Sequence, residues 1–204
     1  GDLSNLPWNT DVDGAHDAWE LLDDSANKIN PDTASAYVLK SSELDHEQTA
    51  AVELTMYCET GEIRFDYKTS TENNYDHLNF YIDGVNQNNS NVSDYHAYWS
   101  GNVEYRTQSF DVSRGLHTFK WEFEKDNSDL CEENPKDDSC ADFKDTVWID
   151  NISIPASVDT DGDGMPDSWE AAHGLSVDTA DANQDNDDDG FLNGVECLYD
   201  TDPT

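Results

Sequence analysis

The C-terminal stretch leaves this chain the least freedom. From Asp159 to Glu170, oxygen-bearing side chains stand at Asp159, Asp161, Asp163, Asp167 and Glu170, which are loop positions 1, 3, 5, 9 and 12, with Gly164 at position 6. The frame returns at Asp185, Asp187, Asp189, Asn193 and Glu196, with Gly190 at position 6. Alternating carboxylates on a tight turn offer three oxygens to a hard cation of calcium size. A backbone carbonyl at position 7, here Met165 and Phe191, adds a fourth, and a glutamate from the following helix closes the shell bidentately. A solvated acidic linker has no need of Gly and Glu at fixed offsets. The spacing therefore predicts two Ca2+ sites.

These loops depart from a calcium switch in two ways. Ile152 to Pro155 reads as a strand end and linker, so no helix enters the first loop, and Pro166 removes the position-8 amide that would bridge paired loops. The order of loop, short helix, acidic linker, loop and helix, ending Tyr199 to Pro203, resembles thrombospondin type 3 repeats and their bacterial relatives over residues 159–203. That resemblance implies structural ions that hold a short stalk between domains of secreted proteins.

Charge narrows the partners. With 46 acidic against 10 basic residues the net charge is −36, and no Lys or Arg follows Lys144. Repulsion excludes nucleic acid and anionic membrane surfaces; calcium, cationic surfaces and neutral polysaccharides remain. No apolar run reaches the length of a membrane span, and no signal peptide is recognisable, so the expectation is a mature or excised fragment that begins at Gly1. Loops of this kind fill at the calcium levels found outside cells, which points to an extracellular or cell-surface location. Cys131 and Cys140 bracket a short acidic loop, and a disulfide between them would contribute about 2–3 kcal/mol. Cys58 and Cys197 either pair, pinning the tail to the main domain, or stay reduced and buried.

Upstream, residues 1–35 are polar and lack periodicity; they are expected to form an N-terminal arm anchored by Trp8 and Trp19. From Ala36 onward, short alternating runs are punctuated by Gly, Asn, Asp and Ser clusters. Val52, Leu54, Met56 and Cys58 share one phase, as do Ile63, Phe65 and Tyr67, then Leu78, Phe80 and Ile82, then Phe119, Trp121 and Phe123. Glu59 to Glu62 and Ser113 to Leu116 carry turn chemistry and read as hairpins, and residues 146–154 should close the sandwich. The runs Phe65 to Lys68, Ser70 to Gly84, Gly115 to Trp121 and Trp148 to Ile152 resemble jelly-roll modules of secreted and surface bacterial proteins, and more loosely MAM and concanavalin-like domains. The expected architecture is all-β: a jelly-roll β-sandwich over residues 1–155, followed by a small loop-helix calcium-binding repeat over residues 156–204.

No metal-protease, nucleophile-elbow or phosphate-loop motif occurs, and the six histidines lack ligand spacing. The reading is non-catalytic. Tyr95, Tyr98 and Trp99, with Asn88, Asn89 and Asn91 nearby, join flat aromatic faces to amides, a combination that suits sugar rings. The opposing reading makes Trp99 a plug in the open end of the sandwich. Glu72 and Asp76, with Asp145 or Asp150, either hold a third cation or cap turns, and capping is the better fit because the spacing follows no ligand pattern. Together these features describe an extracellular calcium module, bacterial by resemblance, that binds a polysaccharide or other surface ligand within a larger secreted enzyme or adhesin. Calcium-dependent self-assembly into a surface fibre or layer is the second reading.

Overall fold

The computed structural model describes residues 8–10, 12, 19–23, 37–42, 44–88, 99–127 and 144–204. Among them are ten strands: β1 (Trp8–Asn9), β2 (Trp19–Asp23), β3 (Tyr37–Ser41), β4 (Thr49–Cys58), β5 (Gly61–Ser70), β6 (His77–Ile82), β7 (Val85–Asn86), β8 (Asn102–Val112), β9 (Gly115–Glu124) and β10 (Thr146–Ser153). Two short helices follow, α1 (Asp167–His173) and α2 (Asn193–Tyr199). The strands form two five-stranded sheets, ordered β1-β4-β9-β6-β7 and β2-β3-β10-β5-β8. This is the expected all-β jelly-roll sandwich, and β10 lies between β3 and β5.

By contact density the chain divides into two compact units. The first holds residues 1–55, 63–110 and 117–153; the second holds 56–62, 111–116 and 154–204.

In the first unit the alternation predicts the buried face. Val52, Leu54, Ile63, Phe65, Leu78, Phe80, Phe119, Trp121 and Phe123 are all fully buried. Each such side chain removed from water contributes about 1.5–3 kcal/mol. Phe65 meets Phe80 edge to face at 4.8 Å, and Phe80 lies tilted against Trp121 at 5.0 Å between centroids. On the opposite phase, Lys120 Nζ lies 2.6 Å from Glu122 Oε2 and 4.2 Å over the Tyr81 ring.

Two expectations need correction. The described residues before Ala36 do more than anchor an arm. Trp8 and Asn9 pair with Leu54 and Glu53 of β4, and Trp19 to Asp23 pair along β3, so β1 and β2 each supply an edge strand to one sheet. Nor are the turns at Glu59–Glu62 and Ser113–Leu116 hairpins within a sheet. β4 and β9 lie in one sheet while β5 and β8 lie in the other, so both turns carry the chain between sheets. Turn residues encode a reversal of the chain, whereas strand partners are chosen by the packing of distant faces.

The second unit has its own small core of Met165, Trp169 and Cys197, with Tyr57, Leu175 and Ala182 packed against it. Glu59 N donates to Pro155 O at 2.8 Å, and Glu59 Oε1 accepts from Ser168 Oγ at 2.6 Å and from Ser157 Oγ at 3.2 Å. Gly61 is required by close approach: a Cβ there would lie 2.8 Å from Pro155 Cβ. α1 ends at Gly174 and α2 at Asp200, both left-handed caps.

Candidate metal centre

Each acidic loop builds the same cradle. Gly164 and Gly190 at position 6 take φ of +97° and +99°, a conformation only glycine adopts without strain. Gly162 and Asp188 at position 4 are also left-handed, at +76° and +62°. In the first loop, Asp159 Oδ2 accepts from Gly164 N at 3.0 Å, Asp161 Oδ1 from Asp163 N at 3.2 Å, and Asp163 Oδ1 from Met165 N at 2.9 Å. In the second, Asp185 Oδ2 accepts from Gly190 N at 3.0 Å, Asp187 Oδ1 from Asp189 N at 3.1 Å, and Asp189 Oδ1 from Phe191 N at 2.9 Å. One hydrogen-bonding scheme thus serves both loops. Carboxylate oxygens of Asp159, Asp161 and Asp163 lie within 4.8 Å of one another, as do those of Asp185, Asp187 and Asp189. Oxygens bound at 2.3–2.6 Å from one ion have separations of this size.

The position-12 glutamates set these loops apart from an ordinary exposed acidic turn. Glu170 is fully buried at the start of α1, and neither of its carboxylate oxygens has a hydrogen-bond partner. Burial first, then the charges of Asp161, Asp163, Asp181 and Asp167, push its carboxyl up to about 7. Glu196 is also buried, its Oε2 lacks a partner, and burial followed by Asp187 and Asp189 raises its carboxyl above the usual range. Asp161 is raised in the same way, by desolvation ahead of its acidic neighbours, and its Oδ2 is buried without a partner. Buried carboxylates are ordinarily paired or hydrogen-bonded. These residues fit a divalent cation: the donors are all oxygen, the number suits calcium, and the orphaned oxygens belong to the residues that would close the shell.

The position-9 side chains also brace their loops. Asp167 Oδ1 accepts from Thr160 N at 2.7 Å and its Oδ2 from Thr160 Oγ1 at 2.6 Å. Asn193 Oδ1 accepts from Asn186 N at 3.3 Å. Asp167 and Asn193, expected as ligands, brace the position-2 residue of their own loops. One acid escaped the sequence frame. Asp181, in the linker, is 8% exposed with Oδ1 lacking a partner. No fixed offset from either loop marks it.

The remaining candidates divide by location. Tyr95, Tyr98, Asn89, Asn91, Cys131 and Cys140 lie outside the described residues. Trp99 is 9% exposed, stacked on Tyr67 at 4.5 Å and edge-on to Phe65 at 5.8 Å. A ring used in this way is a plug in the core and offers no face to a sugar, which corrects its assignment as a ligand platform. Asn88 is likewise spent: its Oδ1 accepts from Phe80 N at 2.7 Å and its Nδ2 donates to Leu78 O at 2.9 Å, in place of a strand partner. Asp76 accepts from Glu72 N at 3.4 Å and Asp126 N at 3.2 Å, the turn-capping arrangement. Beside it, Lys125 Nζ lies 2.7 Å from Asp145 Oδ2. Cys58 and Cys197 are buried thiols; the Cys58 thiol points to Met56 O at 3.8 Å, and burial pushes Cys197 up to about 12.

No family model matches the chain, and no curated protein matches it. Among solved structures it is similar to the secreted serine protease VesC from Vibrio cholerae, at 16% identity and TM-score 0.43 over 77% of this chain. The chain spans 26% of the length of VesC. It is similar to the K1 cleaved adhesin domain of Lys-gingipain from Porphyromonas gingivalis W83, at 14% identity and TM-score 0.41, over 74% of this chain and 91% of that one. A third likeness is to CBM35 from Paenibacillus barcinonensis, at 14% identity and TM-score 0.32, over 74% of this chain and 98% of that one. At these TM-scores the likenesses carry no argument about function.

Proposed function

We propose that this chain is a non-catalytic extracellular module whose two acidic loops bind structural Ca2+ and whose sandwich displays a polysaccharide or other surface ligand site. One observation carries the calcium reading: Glu170 is fully buried, neither of its oxygens has a partner, and Asp161, Asp163 and Asp181 crowd it with like charge. A divalent cation held by these residues would remove that conflict. It would supply positive charge to the buried carboxylates; the chain contributes the positions of their oxygens, on loops turned at Gly164 and Gly190. Extracellular calcium keeps such loops filled, so the ions act as staples. Net charge supports the choice of partner, since an acidic module avoids anionic surfaces and is compatible with a neutral glycan.

Calorimetric titration of the full chain with calcium chloride tests the ion: two equivalents are expected, and no uptake would refute the reading. Glycan-array binding with and without chelator, beside electron microscopy of the calcium-loaded protein, separates display of a polysaccharide ligand from calcium-dependent assembly.

A further inference from the structure

The linker between the loops is tied to both of them. Asp181 N and Ala182 N each donate to Asp163 Oδ2 at 2.8 Å, which fixes the start of the linker on position 5 of the first loop. On the other side, Asp181 O accepts from Gln184 N at 2.9 Å and from Asn193 Nδ2 at 3.1 Å, Asn193 N donates to Gln184 O at 2.7 Å, and Gly194 N donates to Ala182 O at 2.9 Å. Gly194 permits this contact, because a Cβ there would stand 3.0 Å from Ala182 Cβ. The backbone of Asp181 is therefore held by both loops while its side chain, 8% exposed, keeps an oxygen without a partner. The Asp181 amide binds the Asp163 carboxylate, so its side chain leaves the backbone next to the first loop, where Asp161 Oδ2 and both oxygens of Glu170 are also buried without a hydrogen-bond partner. A buried carboxylate oxygen that no donor reaches, on a residue bound to an acidic loop, is well matched to a cation.

We propose that Asp181 is a ligand of the cation held by the first loop, so that filling this loop also orders the linker against the second. This rests on the calcium reading above and adds a carboxylate that the twelve-residue frame does not contain. Asp181 then gives the first site an anionic ligand with no counterpart at the second, and the first site binds the more tightly of the two, since affinity in such loops follows the count of charged ligands.

The test is a calcium chloride titration of the stripped full chain followed by amide NMR, in which Gly164 and Gly190 report the two loops separately. Asp181→Asn keeps both backbone donors and removes the charge. Asp181→Glu keeps the charge and displaces the oxygens, and Asp178→Asn removes an exposed acid from the same linker. The proposal expects the Gly164 midpoint to rise at least about tenfold in both Asp181 variants and to stay within about twofold in Asp178→Asn. An Asp181→Glu chain that titrates like wild type, or Asp181→Asn matching Asp178→Asn, would overturn it. A tail that stays unordered in Asp181→Asn at saturating calcium supports the proposal if Asp181→Glu also weakens and Asp178→Asn does not, and counts against it otherwise. A wild type with no calcium-dependent shift at either glycine refutes the calcium reading itself.

Discussion

Replacing Glu170 by Gln should reverse sign between the calcium-free and the calcium-loaded protein. Without calcium, Glu170 is a fully buried carboxylate with no partner for either oxygen, surrounded by Asp161, Asp163 and Asp181. Leaving such a group unsatisfied costs about 1–3 kcal/mol or more. Gln has the same shape and no charge, so in chelator at pH 8 the variant should melt at or above wild type. Its carboxyl is raised from 4.5 to about 7, so the folded state holds the proton more tightly than the unfolded chain. Stability in chelator therefore falls as pH rises from 4.5 to about 7, and the advantage of the variant should shrink as pH is lowered through that window. With calcium at a hundredfold excess over its dissociation constant, each filled site adds about 2.7 kcal/mol. Glu170→Gln forfeits that gain at the first loop because the bidentate closure is gone. Scanning calorimetry in chelator and in calcium reads both arms, and a loss of this size lowers the calcium-loaded midpoint by roughly 5–10 °C. A variant that keeps the full calcium response, or is less stable than wild type in chelator at pH 8, would refute the reasoning.

Trp99→Ala should cost about 3–5 kcal/mol by urea denaturation, because the indole fills the core against Tyr67 and Phe65; unchanged stability with lost glycan binding would return it to the surface. Gly194→Ala sets a methyl 3.0 Å from Ala182 Cβ and 3.1 Å from Ala182 O, and should cost about 1–3 kcal/mol and weaken calcium uptake at the second loop, read by calorimetry. Burial, opposed by the Asp126 amide and Lys125, pushes Asp76 from 3.8 up to about 6, so its carboxyl destabilises the fold more as pH rises from about 4 to about 6. Urea midpoints of wild type and Asp76→Asn should therefore diverge in their pH slopes across that window, and parallel slopes would count against the assignment.

Much of the candidate metal centre was legible because the residues proposed as its ligands are local. A twelve-residue loop places its own oxygens, so the Asp, Gly and Glu offsets carry the geometry before any tertiary contact forms. Strand faces were legible for a similar reason: a period of two in Leu78 and Phe80, or in Phe119, Trp121 and Phe123, states which side chains go inward wherever the strand comes to lie. Strand partners were not legible. Ser113 and Arg114 announce a reversal, yet β8 pairs in one sheet and β9 in the other, because packing between faces far apart in sequence decides pairing.

The same division runs through the side chains. The sequence by itself determined two twelve-residue acidic loops of one frame and an alternating, mostly aromatic core. Only the tertiary structure decided that Trp99 stacks inside that core, that Asn88 stands in for a strand, that position 9 braces its own loop, and that Asp181 reaches the first loop from the linker. It also decided that Met165 is buried while Phe191, at the same position of the second loop, is 59% exposed. Spacing specifies backbone geometry and the atoms that a local turn can gather. Burial and long-range contact depend on which distant surfaces meet, and no local pattern contains that choice.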